Sequence, residues 1–346
     1  LHGDDAVGLE FQHAVHQFEA HGLSIFATPR VTRPVRALSA NLCTTGGRAV
    51  HSRRAYRPAH LPFPVPAFKD DAVCVRAWDW SETSQTVALL TREHGLIRGI
   101  AKGSRRPKSN FGGAFDVLTR GEIVGILKPD DAGMGVAPDR LTTLTAWDLR
   151  ETFPRTRRSL SAHTAGLAMI DLARRSVREH DPHPALFDAL VTNLRALGAT
   201  PTPAGDALAL VRLQWATLVE AGYRPALGDE GGDPDAPRDD ARVVTFHARL
   251  GGVVSGPTGD ASEGLPARRP AAPSDGWRVR ASTLALLRRV ARDWDRAEFS
   301  DIDPVPFEVA ARASRLLYEY AREVFGEESP AFAAFASDIL AFPRGN

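Results

Sequence analysis

The chain has 346 residues, 43% hydrophobic and 25% charged, with a formal net charge of +1 at neutral pH. That length allows two or three ordinary domains. The near-neutral balance means that any case for nucleic-acid binding must rest on local clustering. No apolar run approaches the roughly 20 residues a membrane-spanning helix needs. Cys43 and Cys74 are the only cysteines, which excludes a disulfide framework and a four-thiolate zinc site and fits a reducing cytosol.

The opening LHGDDAVGLEF lacks a basic segment followed by an apolar core, so no signal peptide is expected. Leu1 comes first, and Met134 and Met169 are the only methionines. An unusual start codon, trimming, or a start assigned too far upstream are the open readings. Residues 1–69 read as an extension, mostly disordered or not native. Val7, Phe11, Val15 and Phe18 keep a helical spacing briefly, and Pro58, Pro62, Pro64 and Pro66 favour an extended linker.

Residues 70–152 change character. Ala72–Trp78, Gln85–Glu93, Leu96–Lys102, Val117–Leu127 and Arg140–Leu149 are short segments rich in Val, Leu, Ile and Thr, separated by turn residues. Such strands with tight turns suit a small closed barrel better than a sandwich, and a five-stranded barrel of this size is the OB type. The pattern does not separate it from other small barrels. After Pro154 the period becomes helical, and residues 153–222 and 278–343 are assigned to a helical domain.

Its expected stripes are Leu160, Leu167, Ile170 and Ala173 within Ser159–Arg178; then Leu186, Leu190 and Leu194; then Leu208, Val211, Trp215 and Leu218. Ser282 is placed as the cap of a helix carrying Thr283, Leu287, Val290 and Trp294, and Val309, Ala313, Leu316, Tyr320 and Val324 make another. Residues 223–277, with acidic, Gly- and Pro-rich stretches, read as a loosely ordered insert.

Arg92, Arg98, Lys102, Arg105, Arg106 and Lys108 fall in one short stretch opposed only by Glu93. Phosphates need cations on a surface that follows a flexible backbone. Bases need flat partners, which Phe111, Trp78 and Trp80 can supply, and such stacking tolerates any sequence. The plainer reading is a solvated basic loop, with Trp78 or Phe111 in the barrel core. The side on which Arg98 faces stays ambiguous, since Leu96 and Ile100 share it.

His180, Asp181 and His183 can be metal ligands, but with Pro182 and Pro184 they fit a helix boundary better. His13, His16 and His21, and the acidic run Asp229–Asp240, read as solvated surface. No nucleophile elbow, phosphate-cradling loop or His-Glu-x-x-His pattern appears, so no enzyme is expected.

Several strings carry a resemblance. They are Trp80-Ser81-Glu82-Thr83-Ser84, Thr91-Arg92-Glu93-His94-Gly95, Ala101-Lys102-Gly103-Ser104-Arg105-Arg106-Pro107-Lys108 and Phe111-Gly112-Gly113-Ala114. Leu144-Thr145-Ala146-Trp147-Asp148-Leu149, Asp181-Pro182-His183-Pro184 and Gly222-Tyr223-Arg224-Pro225 follow in order. Together they resemble the bacterial recombination-mediator family RecO, well over Ala72–Pro225 and loosely beyond.

The resemblance implies an α+β chain: an OB-fold, then a helical domain with an inserted zinc-ribbon-like module. It implies a cytoplasmic, nucleoid-associated, non-enzymatic DNA-repair mediator without a cofactor. Such a protein binds single-stranded DNA, anneals strands and helps RecA replace single-strand binding protein, with a RecR-type partner. By carry-over, DNA contacts would be Arg92, Arg98, Lys102, Arg105, Arg106 and Lys108, with Phe111 and Trp80 stacking.

One departure stands out. Leu227-Gly228-Asp229-Glu230 and Gly251-Gly252-Val253-Val254 occupy places where many relatives carry paired cysteines, so the module lacks the family's zinc ligands. The rival readings are an interaction adaptor without DNA binding and a metal-dependent nuclease built on His180–His183.

Overall fold

A computed structural model describes residues 67–112, 115–126, 141–200, 202–228, 243–253, 276–297, 305–326 and 328–340. The chain divides into two units, Leu1–Pro64 and Val65–Asn346, and every described residue belongs to the second. The expectations for residues 1–66, for His13, His16 and His21, and for Asp229–Asp240 lie outside the described residues.

Among the described residues five strands come first: β1 (Ala67–Ser81), β2 (Ser84–Thr91), β3 (Gly95–Ala101), β4 (Thr119–Ile126) and β5 (Thr142–Glu151). They pair in the order β1-β2-β3-β5-β4 and close on themselves, because β1 also pairs with β4. Every pairing is antiparallel except β3 with β5. Strict alternation of buried and half-buried positions along β4 sends Ile123 inward to meet Leu89, Ile97, Leu144 and Trp147.

β1 starts at Ala67, ahead of the expected Ala72, because charges that look like loop residues find partners. Asp70 is buried and accepts from the Asp71 and Glu93 N–H groups at 2.8 and 3.0 Å, with His94 Nδ1 at 2.7 Å. Asp71 pairs with Arg120 of β4.

The helical part follows in α1 (Leu160–Ser176), α2 (Pro184–Ala196) and α3 (Pro203–Glu220). Ser159 caps α1, its Oγ accepting from Ala162 N–H at 3.1 Å. The buried side of α1 runs through Ala162, Ala165, Met169, Ile170 and Ala173, and the expected Leu160 and Leu167 are only half buried. Small residues let neighbouring helices approach closely there. α3 is buried nearly all round, with Leu210, Leu213, Trp215 and Leu218 fully enclosed. Each such side chain contributes roughly 1.5–3 kcal/mol on leaving water.

Among the described residues that follow α3, a small antiparallel sheet is formed by β6 (Val243–His247), β7 (Gly252–Val253) and β8 (Trp277–Arg280), in the order β7-β6-β8. Its centre is Phe246, fully buried, stacked on Trp277 at 6.0 Å and edge-on to Tyr320 at 5.4 Å. Among the described residues no group of three or more His, Cys, Asp or Glu is placed to hold a metal ion.

β8 runs directly into α4 (Ala281–Asp295), followed by α5 (Phe307–Phe325) and α6 (Pro330–Asp338). Ser282 does not cap α4: Arg280 takes that position, and Ser282 Oγ accepts from Arg312 Nη2 at 3.2 Å instead. No described helix is long and apolar enough to cross a membrane.

The helical part is seated on the end of the barrel where β2 turns into β3. Leu96 O accepts from His180 N–H at 3.0 Å. Gly95, at φ +69°, lies so close to the α1–α2 connection that a Cβ there would sit 2.2 Å from the Asp181 carbonyl oxygen. Only glycine fits both the space and the left-handed backbone. The His180–His183 segment is this connection, and His183 is the residue preceding α2.

Candidate nucleic-acid interface

The opposite end of the barrel carries the basic loop. β3 ends at Ala101, and the chain crosses the barrel mouth through residues 102–112 before entering β4. A Gly/Ser/Pro sequence cannot hold itself in a strand, so side chains from β2 hold it. Ser84 Oγ accepts from Gly103 N–H at 3.1 Å, and Gln85 Oε1 accepts from Ser104 Oγ at 3.2 Å. The same Oε1 accepts from Phe115 N–H at 3.0 Å, while Gln85 Nε2 donates to Phe115 O at 3.2 Å. One buried amide thus fastens both ends of the loop. Ser109 Oγ, donating to Ser104 O at 2.9 Å, ties its middle.

With its backbone held this way, the loop turns Lys102, Arg105, Arg106 and Lys108 outward, all exposed. Lys102 and Arg106 join Trp80, Ser81, Ser84, Ile100 and Gly103 around a shallow groove of ≈ 320 Å³. Trp80 is 64% exposed, an unusual setting for so large an apolar ring, and Trp78 on the same strand is 39% exposed. Arg105 pairs with Asp79, a surface contact of the kind that contributes little and exchanges readily. The arrangement presents guanidinium and ammonium groups beside an open indole, a surface suited to phosphates and bases together.

The sequence-derived set therefore divides. Lys102, Arg105, Arg106, Lys108 and Trp80 come together at this end. Arg92 and Arg98 do not join them. Arg92 sits at the β2–β3 turn, where Nε and Nη2 donate to the Asp188 carboxylate of α2 at 3.0 and 2.9 Å and Nη1 to Glu93 at 2.6 Å. Arg98 pairs with Glu179 in the α1–α2 connection. Both arginines fasten the helical part to the barrel.

Phe111 is a correction. It is 4% exposed, packed in the barrel core 5.8 Å from the Phe115 ring, which in turn leans on Trp147 at 4.9 Å. It offers no face to a base, because the turn that closes the loop needs an apolar plug beneath it. Arg76 was not among the sequence candidates; its guanidinium carbon lies 4.8 Å from the Trp78 ring centroid. Period-2 alternation along β1, which puts residues 76 and 78 on one side, is the signal that points to it.

Comparison with known families agrees with this layout. Residues 66–132 match the family model "Recombination protein O N terminal" and residues 157–329 match "Recombination protein O C terminal". Several proteins named "DNA repair protein RecO" are similar. One from Salinibacter ruber is 32% identical over 195 residues, covering 50% of this chain and 71% of the relative. One from Rhodopirellula baltica is 36% identical over 155 residues, covering 45% and 53%. One from Thermobifida fusca is 32% identical over 244 residues, covering 67% and 85%. With both halves matched and a relative of this similarity covered over most of its length, the chain belongs to the RecO family, a family of DNA repair and recombination proteins.

Proposed function

We propose that this protein is a recombination mediator that binds single-stranded DNA at the basic end of its barrel, read as an OB-fold. The observation that carries the reading is the contiguous outward set Lys102, Arg105, Arg106 and Lys108 beside the open ring of Trp80. The cations hold the backbone and the indole holds a base, with no sequence requirement. Neutralising the repulsion between two backbones while leaving bases free to pair promotes annealing.

In the cell, at the nucleoid in the cytoplasm, the protein helps load RecA onto DNA covered by single-strand binding protein, together with a RecR-type partner. It acts by binding and catalyses no bond chemistry.

The test is a salt titration of single-strand affinity, with annealing measured in parallel, for the native chain and an Arg105→Glu/Arg106→Glu variant. Each phosphate contact contributes a log–log slope of about −0.7. The variant is expected to lose roughly 1–2 units of slope and most annealing. Unchanged annealing sinks the reading, and negligible affinity of the native chain favours an adaptor that binds only proteins.

A further inference from the structure

The turn that opens the helical part lies against the basic loop. Gln85 Oε1 accepts from Ser104 Oγ at 3.2 Å and from Phe115 N–H at 3.0 Å, so the residues that follow these two, Arg105 and Asp116, leave from one anchor. Asp116 then reaches Arg157, whose Nη2 donates to Oδ2 at 3.1 Å. Midway, Asn110 O accepts from Trp147 N–H of β5 at 2.9 Å, and a Cβ on Gly112 would sit 3.4 Å from the Trp147 carbonyl oxygen. Hydrogen bonds thus bring the loop and residues 153–158 together across some 40 residues of chain.

That turn is rigid. Pro154–Arg157 form a single 3-10 turn after Phe153, which is 2% exposed and held at φ +44°. A left-handed phenylalanine is strained and persists only where its surroundings over-determine it. Phe153 O accepts from Thr156 N–H at 3.0 Å and from Thr156 Oγ1 at 2.8 Å, and Thr156 is buried. Gly198 packs against the Arg155 carbonyl, where a Cβ would lie 2.6 Å from the oxygen. Residues three apart on a 3-10 helix eclipse one another, so Arg155 and Arg158 stand on the same side. Both are exposed, and among the described residues neither meets a carboxylate. The carboxylates nearby are matched already: Asp116 by Arg157, Asp148 by Arg150, and Glu151 by Arg195 and Arg120. Two guanidinium groups held side by side without a counter-ion suit a phosphate, which they bind by charge-assisted hydrogen bonds.

We propose that a single strand leaving the groove follows the basic loop and sets its next phosphates on Arg155 and Arg158. Lys108, exposed in the middle of the loop, supplies charge along the way. The helical part then carries a share of the DNA track as well as supporting the barrel. This inference rests on the reading of the groove as a single-strand site.

The experiment measures fluorescence anisotropy of thymidine oligonucleotides of increasing length on the full chain. Arg155→Gln/Arg158→Gln is expected to leave the shortest bound oligonucleotide unaffected and to weaken longer ones roughly tenfold. The salt slope for the longer ones should flatten by about 1.4, two contacts at about 0.7 each. Arg155→Lys/Arg158→Lys restores the slope. An unchanged slope at every length, or an equal loss at every length, overturns the track while leaving the groove reading intact. A native chain that binds no oligonucleotide overturns both.

Should the variant fold poorly, the native protein answers by phenylglyoxal labelling read by mass spectrometry. Protection of Arg155 and Arg158 by a long oligonucleotide, but not by one that fills only the groove, supports the track. Labelling indifferent to DNA overturns it.

Discussion

Gln85 and Phe115 pair as two strand residues would, the side-chain amide of one matching the main chain of the other: Phe115 N–H donates to Oε1 at 3.0 Å and Nε2 donates back to Phe115 O at 3.2 Å. Because Ser104 also donates to Oε1, the beginning and the end of the basic loop share one anchor. The groove is thereby preorganised by a residue that never faces solvent.

Gln85→Leu should therefore weaken DNA binding without changing any charge. Removing the amide leaves the buried Phe115 main-chain groups unpaired, a loss of about 2–3 kcal/mol. Urea unfolding checks the stability, and trypsin should cut faster after Lys102, Arg105 and Lys108. Cleavage at the native rate would mean the loop holds its own shape.

Two aromatic truncations should separate core from surface. Phe111→Ala removes a buried plug and is expected to cost about 3–4 kcal/mol in stability. Trp80→Ala should alter stability by no more than about 0.5 kcal/mol yet weaken single-strand affinity by roughly 1–3 kcal/mol. Thermal melts set against anisotropy distinguish the two, and the reverse pattern would place the stacking residue wrongly.

Gly95→Ala tests the seat of the helical part. The added carbon would lie 2.2 Å from the Asp181 carbonyl oxygen at a φ of +69°. Both the strained backbone and the displaced connection should cost stability, together more than about 2 kcal/mol. A lowered melting temperature, with the hydrogen exchange of β3 and of the α1–α2 connection raised together, is the expected signature.

Acid should loosen another contact between barrel and helices. Glu151, at the end of β5, accepts from Arg195 Nε and Nη2 at 2.9 and 2.7 Å, and Arg120 Nη1 lies 3.4 Å away. The hydrogen bond from Arg195 leads in holding its carboxyl below the usual range, against burial. A depressed folded-state value means the stabilisation is complete above the ordinary carboxylate value near 4.3 and is lost as the pH falls through the folded one. For a half-exposed bidentate pair this amounts to about 1 kcal/mol. Glu151→Gln should lower stability at pH 7 and narrow its difference from the native chain below about pH 4, read by urea midpoints across the acid range.

Much of the architecture was legible along the chain. β2, β3, β4 and β5 appear within two residues of their expected starts because Val, Leu, Ile and Thr runs bounded by turn residues are local signals. The early start of β1 was hidden, since Asp70 and Asp71 resemble loop residues until His94 and Arg120 arrive from elsewhere. Ser282 was misplaced for a similar reason: β8 continues without a break into α4, so no capping turn intervenes. The basic loop stands out by its charge, whereas Arg76 does not, because a lone arginine in an apolar strand carries no cluster signal.

By itself, the order of residues determined where strands give way to helices, that a cationic loop follows β3, and that the small insert has no cysteine ligands. Those properties depend on neighbours a few positions away. Only the tertiary structure decided which cations face outward. Arg92 meets Asp188 across 96 residues of chain, and Arg98 meets Glu179, so both close the joint between barrel and helices. The charge of an arginine is written locally, but whether a carboxylate reaches it depends on how distant segments pack.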